Sequence, residues 1–101
     1  MSSLKNLNKV VSYLGFAQKS NNCIVGQTAL KKNYKQLHLV IVCTSASDNL
    51  KDLAINLANK HQCKYLILAN LSDLLNLKDI KIVGLTDFNL SNAIIQFYEN
   101  E

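Results

Sequence analysis

The sequence predicts an α/β fold, a three-layer α/β/α sandwich built around a four-stranded mixed sheet. Stripes of apolar residues at three- and four-residue spacing alternate along the chain with short runs rich in valine and isoleucine. Runs such as Leu39 to Cys43 are apolar at successive positions, as suits a strand covered by helices on both faces. The size agrees: 101 residues, 49% of them apolar and 18% charged, with no Gly/Ser-rich or charge-blocked linker, fit a single domain over residues 1–101 with one modest core.

The elements follow in order. Leu7, Val10, Val11, Leu14 and Ala17 fall on one face of a first helix, Lys5, Asn8 and Lys9 face water, and Ser20, Asn21 and Asn22 end it. Cys23 to Val25 is a short strand that leads through Gly26 into a second helix, Gln27 to about Lys35, with Ala29, Leu30 and Tyr34 as its inner face. Leu37 to Cys43 reads as a strand buried on both faces, with His38 as the exception. The loop from Thr44 to Asn49 carries side chains able to cap a third helix, whose stripe is Leu50, Leu53, Ala54 and Leu57. Lys64 to Ala69 reads as a second buried strand, Leu71 to Leu77 as a short helix and Ile80 to Leu85 as the last strand. Leu90 to Tyr98 closes the chain as a helix capped by Asn89 or Asp87.

Charge narrows the range of partners. Eleven basic residues against seven acids give a net charge of +4 and an isoelectric point near 9.0, which favours a polyanionic or acidic partner. All eleven are lysine, a point charge without the two-pronged hydrogen bonding of arginine, so any phosphate contact rests on lysine. The apolar runs are far too short to span a bilayer, and the polar start Met1 to Lys9 lacks the apolar stretch of a signal peptide. The expectation is a cytoplasmic protein with no membrane partner.

Most chemistry classes lack their residues. Cys23, Cys43 and Cys63 are an odd number without a CxxC pair, and each is expected as a buried thiol at a strand end. Gly15, Gly26 and Gly84 stand alone, so neither the dinucleotide turn GxGxxG nor a phosphate-cradling GxxxxGK[ST] loop is present. There is no HExxH and no GxSxG. Asp87, beside Thr86 at a strand end, is the best candidate for a catalytic acid, though a helix cap is the commoner role for such a residue. Chemistry at Cys43 would require a perturbed thiol in a real pocket. His38 is expected as a partly buried strand residue and His61 as a solvated helix-end residue, neither with a partner at metal-ligand spacing. The expectation is a non-enzymatic protein with no cofactor and no metal.

Several segments resemble a known family. These are Leu14-Gly15-Phe16-Ala17-Gln18-Lys19-Ser20, Val25-Gly26-Gln27-Thr28-Ala29-Leu30-Lys31-Lys32, Leu39-Val40-Ile41-Val42, Ala46-Ser47-Asp48-Asn49 and Val83-Gly84-Leu85-Thr86-Asp87. In this order and spacing they resemble the L-seven-Ae family of ribosomal and ribonucleoprotein RNA-binding proteins, closest to its short bacterial YlxQ-type members. The resemblance covers roughly residues 10 to 98 and implies the same α/β/α sandwich.

The resemblance also implies a function. The family binds kink-turns, sharply bent RNA internal loops with tandem sheared G·A pairs, and its motif runs Gly, any residue, Asn, Glu, two residues, Lys. On this chain the glycine falls on Gly26 and the lysine on Lys32, while Asn and Glu are replaced by Thr28 and Ala29, so the hydrogen bonds of that pair to guanine edges are missing. The stretch Leu77-Lys78-Asp79-Ile80-Lys81 is shorter than the family's glycine-containing loop. By resemblance the RNA-binding residues are Gly26, Gln27, Thr28, Lys31, Lys32, Lys35, Ser45, Ala46, Ile80 and Lys81. The partners implied are structured RNA, above all ribosomal RNA, and the ribosome, engaged by a monomer through shape and phosphates. The alternative is a protein-interaction module of the same fold that has lost specific RNA binding.

Overall fold

Five consecutive buried residues, Leu39 to Cys43, need cover on both sides, and the fold is arranged around that requirement. The structure, a computed structural model, describes the backbone of residues 2–99 and the side chains of residues 9–97; the side chains of Lys5, Leu7, Asn8 and Tyr98 lie outside that range. The chain runs α1 (Ser2–Lys19), β1 (Cys23–Val25), α2 (Gln27–Lys32), β2 (Leu39–Cys43), α3 (Asp48–His61), β3 (Lys64–Leu68), α4 (Leu71–Leu75), β4 (Ile82–Leu85) and α5 (Phe88–Glu99). The four strands form one mixed sheet in the order β1-β4-β2-β3. The central β4 is antiparallel to both β1 and β2, and β2 is parallel to β3 with Leu39 opposite Lys64 and Cys43 opposite Leu68.

Alternation along the strands divides the core in two. Leu39, Ile41, Cys43, Leu66, Leu68, Val83 and Leu85 face α1, α4 and α5, where Val10, Leu14, Leu71, Leu75 and Ile94 meet them. Val40, Val42 and Ile82 face α2 and α3, against Leu30, Ala54, Leu57 and Ala58. This is the three-layer α/β/α sandwich around a four-stranded mixed sheet that the patterning predicts. Gly84 allows α2 to lie close: a Cβ there would stand 2.7 Å from Leu30 Cδ2 and 3.0 Å from Leu37 Cδ2.

Several element limits differ from the sequence expectation, each for a local reason. Helix α2 stops at Lys32, because Asn33 turns extended and its side chain both accepts from the Lys35 N–H (3.0 Å) and donates to the Lys35 carbonyl (2.8 Å). Tyr34 is therefore 91% exposed, Ala29 is exposed too, and Leu30 is the only buried residue of the helix. Val11 also lies at the exposed margin of its stripe. Strand β2 starts at Leu39, and Leu37 packs under Gly84 instead.

Strand β3 is buried on one face only, with Tyr65 and Ile67 exposed, because it forms the sheet edge. Helix α4 ends at Leu75, where Asn76 in the left-handed region leaves Leu77 to donate back to the Ser72 carbonyl at 2.9 Å. Ile80 does not join β4: Ser72 Oγ accepts its N–H at 2.7 Å and donates to its carbonyl at 2.9 Å. Asp87, not Asn89, caps α5 by accepting the Leu90 N–H at 2.8 Å, which accounts for the carboxylate that stood as a candidate acid.

The histidines and cysteines also find specific places. Cys43 is buried at the end of β2, whereas Cys23 and Cys63 are half-buried and Cys63 lies outside the strands. His38 is half-buried and packs edge-to-face on Phe88, with ring centres 5.6 Å apart. His61 is half-buried rather than solvated. Its Nδ1 accepts the Leu37 N–H at 3.2 Å, and the Gln36 side chain donates to its carbonyl at 2.6 Å. Burial first, then the charge of Lys60 and the proximity of His38, hold its pKa below the ordinary 6.5. The accepting Nδ1 must be unprotonated, so the folded state favours neutral His61 and binds fewer protons there than the unfolded chain. The stability this contributes is full above pH 6.5 and is lost as pH falls through the lowered pKa. Urea unfolding midpoints are expected to fall as pH is lowered from 6.5, and His61→Gln to flatten that part of the profile.

Candidate nucleic-acid interface

The sheet topology brings separate loops to one end. Strands β1, β2 and β3 finish there and β4 begins there, since β4 runs antiparallel to β1 and β2. Gly26, the Thr44 to Ser47 loop, Asn70 and the Ile80–Lys81 approach thus share one rim. Hydrogen bonds tie them: Gly26 N–H donates to the Ile82 carbonyl at 3.0 Å, and Cys43 N–H to the Lys81 carbonyl at 2.7 Å. Lys81 Nζ crosses to Ser45 Oγ at 2.7 Å, joining residues 36 positions apart.

Gly26 occupies a backbone region that only glycine enters readily, with φ 91° and ψ 157°. It starts α2 by accepting the Leu30 N–H at 3.1 Å and gives the helix no side-chain cap. No atom lies within 4 Å of where a Cβ would stand, so its outer flank is open to an approaching backbone. Ser47 caps α3 by accepting the Leu50 N–H at 3.2 Å. Between α2 and α3 lies a groove of about 540 Å³, whose polar wall includes Gln27, Lys31, Ser47, Asn49, Asp52 and Asn56. Asp52 offsets part of the positive charge that Lys31 brings.

The structure sorts the sequence-predicted residues. Gly26, Ser45 and Lys81 come together at the rim, Gln27 and Lys31 line the groove beside it, and Thr28 is exposed in the first turn of α2. Lys32 turns toward the opposite side of α2, and with Lys35 it lines a separate depression of about 340 Å³ that also holds Asn21, Ile24, Tyr34 and Thr86. Lys35 belongs to the loop after α2 and is remote from the rim, because the helix ends at Lys32. The Ala46 side chain is buried, and Ile80 is half-buried with its backbone held by Ser72. Sequence reasoning missed Asn49, Asp52 and Asn56. Their spacing of three, four and seven places them on one polar face of α3, and that face is a legible signal.

Among the described residues no helix is long and apolar enough to cross a membrane, and no group of three or more His, Cys, Asp or Glu could hold a metal ion. What fold and site define is an α/β/α domain with a polar, lysine-bearing rim at one end of its sheet. No family model matches the chain, and no curated protein matches it. Among solved structures it is similar to a protein of unknown function from Bacillus halodurans C, at 19% identity with a TM-score of 0.76, over 90% of this chain and 97% of that one. At this identity the likeness is one of fold.

Proposed function

We propose that this chain is a non-enzymatic, cytoplasmic RNA-binding protein that works with the ribosome or another structured RNA and recognises bent, kink-turn-like RNA through shape and phosphates. The observation that carries this reading is the convergence of Gly26, Ser45 and Lys81 on one rim, with Gln27 and Lys31 in the groove beside it. A bent RNA backbone can approach the open flank of Gly26, while hydroxyls, amides and lysines of the rim serve its phosphates and sugars. With Thr28 and Ala29 both exposed and neither able to supply the paired carboxamide and carboxylate, discrimination rests on the shape of the bend.

A salt-titrated binding assay tests this with a kink-turn RNA, the same RNA with its G·A pairs replaced, and a plain duplex. The kink-turn is expected to bind tightest, with log K falling linearly as log salt rises. Thr28→Asn combined with Ala29→Glu is expected to widen its lead over the altered RNA. Equal binding of all three would reduce the rim to a nonspecific basic surface. Binding of none would overturn the proposal in favour of a protein-interaction module, the second reading, which the mainly apolar depression under the exposed Tyr34 favours.

A further inference from the structure

Strands β1 and β2 run the same way, each antiparallel to the β4 that lies between them, so α2 carries the chain back from the rim to the far end of the sheet. There the segment after α2 meets Asn21, just ahead of β1, and Thr86, just past β4, around a depression of about 340 Å³. That volume falls within the range of about 300–1,000 Å³ usual for ligand pockets and has room for one large side chain. The rim and this depression thus lie at opposite ends of β1.

Its wall is mainly apolar and its charge has one sign. Ile24 of β1 and Ala29 of α2 supply aliphatic surface, and Tyr34 stands beside them with 91% of its surface accessible. The Asn33 side chain holds the Lys35 backbone by both its N–H and its carbonyl, so Tyr34 sits between two tied residues. Lys32 and Lys35 are exposed at the margin, where their methylene stems add apolar surface and their ammonium groups stay in water. Among the described residues no acid lines the depression; Asp87, next along from Thr86, has its carboxylate on the Leu90 N–H. The groove beside the rim differs on this point, since Asp52 there opposes Lys31.

We propose that this depression docks an acidic segment of a partner protein. A large apolar side chain of that segment enters against Ile24, Ala29 and Tyr34, and carboxylates on either side of it meet Lys32 and Lys35. Two unopposed lysines around an apolar floor call for a ligand that is apolar at its centre and negative at its edges, and a purely apolar or a cationic segment lacks that complementarity. The Asn21 amide and the Thr86 hydroxyl offer hydrogen bonds to the backbone of the segment. Single-stranded nucleic acid relies on successive aromatic platforms, and here a single ring stands over aliphatic residues, which favours a protein side chain. The proposal goes beyond the RNA reading and does not rest on it, because the rim stays open when the depression is filled.

The probe is a synthetic peptide with one tryptophan between two short runs of glutamate. The full chain contains no tryptophan, so the indole emission reports the surroundings of the peptide alone. Titration with the protein is expected to shift that emission to shorter wavelength, with an affinity that falls as salt rises. Tyr34→Ala should weaken binding about tenfold, and Lys32→Glu combined with Lys35→Glu by at least as much. These three side chains are exposed, so the substitutions leave the core untouched. Lys60→Glu, on α3 and outside the depression, should change the affinity by less than about twofold. No shift up to about 1 mM peptide, or binding that survives both sets of substitutions, would overturn the proposal. Equal binding of a peptide with lysines in place of its glutamates would do the same. An oligouridine strand that displaces the peptide and depends equally on Tyr34 would assign the depression to nucleobases and overturn it as well. Kink-turn RNA should bind the Tyr34→Ala variant as it binds the wild-type protein, so the failure of one reading is seen apart from the failure of the other.

Discussion

Leu30→Ala is expected to lower the unfolding free energy by about 3 kcal/mol, measured by urea denaturation. Leu30 is the only buried residue of α2, a helix of six residues that is too short to hold its shape without tertiary support. Its Cδ2 stands where a side chain at position 84 would otherwise be, so truncation leaves a void over Gly84, beside Leu37. Loss of the anchor should also release the segment from Gln27 to Lys32 and weaken RNA binding with it. A change below about 1 kcal/mol would mean that α2 can detach while the sheet and the remaining helices keep their stability.

The combined variant Lys31→Ala, Lys32→Ala, Lys81→Ala is expected to lower affinity for kink-turn RNA about 10²-fold at 0.1 M salt, because each phosphate contact contributes close to one unit to the salt slope. The slope of log K against log salt should become shallower by about two, for Lys31 and Lys81, since Lys32 turns away from the groove. Lys60→Ala is the matched control, since this exposed lysine sits at the far end of α3 from the rim. An unchanged slope in the triple variant would place the RNA elsewhere on the surface. A loss of about three units would show that Lys32 reaches a phosphate as well, although it turns away from the groove.

The legible features were those encoded locally. The run Leu39 to Cys43 carries its own evidence of two-sided burial, and the stripe Leu50, Leu53, Ala54 and Leu57 carries that of an amphipathic helix. Caps before α3 and α5 were readable because capping is settled within three or four residues, but the choice of Ser47 within its loop and of Asp87 over Asn89 came from the structure. The glycine that opens α2 was legible in the same way, and its backbone conformation agrees with its use there. Tyr34 was assigned inward because helical spacing alone does not reveal that Asn33 would divert the chain by bonding to Lys35, and Ala29 because that spacing does not reveal that α2 buries Leu30 alone. Tyr65 and Ile67 were assigned to a buried strand because an apolar run does not reveal whether its strand lies at the sheet centre or at its edge.

The sequence by itself determined the order of helices and strands, the two-sided core and the net positive charge, since periodicity and composition need no partner to be read. Only the tertiary structure decided which distant residues share a surface. Antiparallel β4 brings Lys81 to Ser45, the close approach at Gly84 positions α2, and the return of α2 along the sheet sets Lys32 and Lys35 around one depression with Ile24 and Thr86. Each of these depends on strand order and on the side to which a helix turns. Strand order follows from long-range pairing across the whole chain, and no local pattern encodes it.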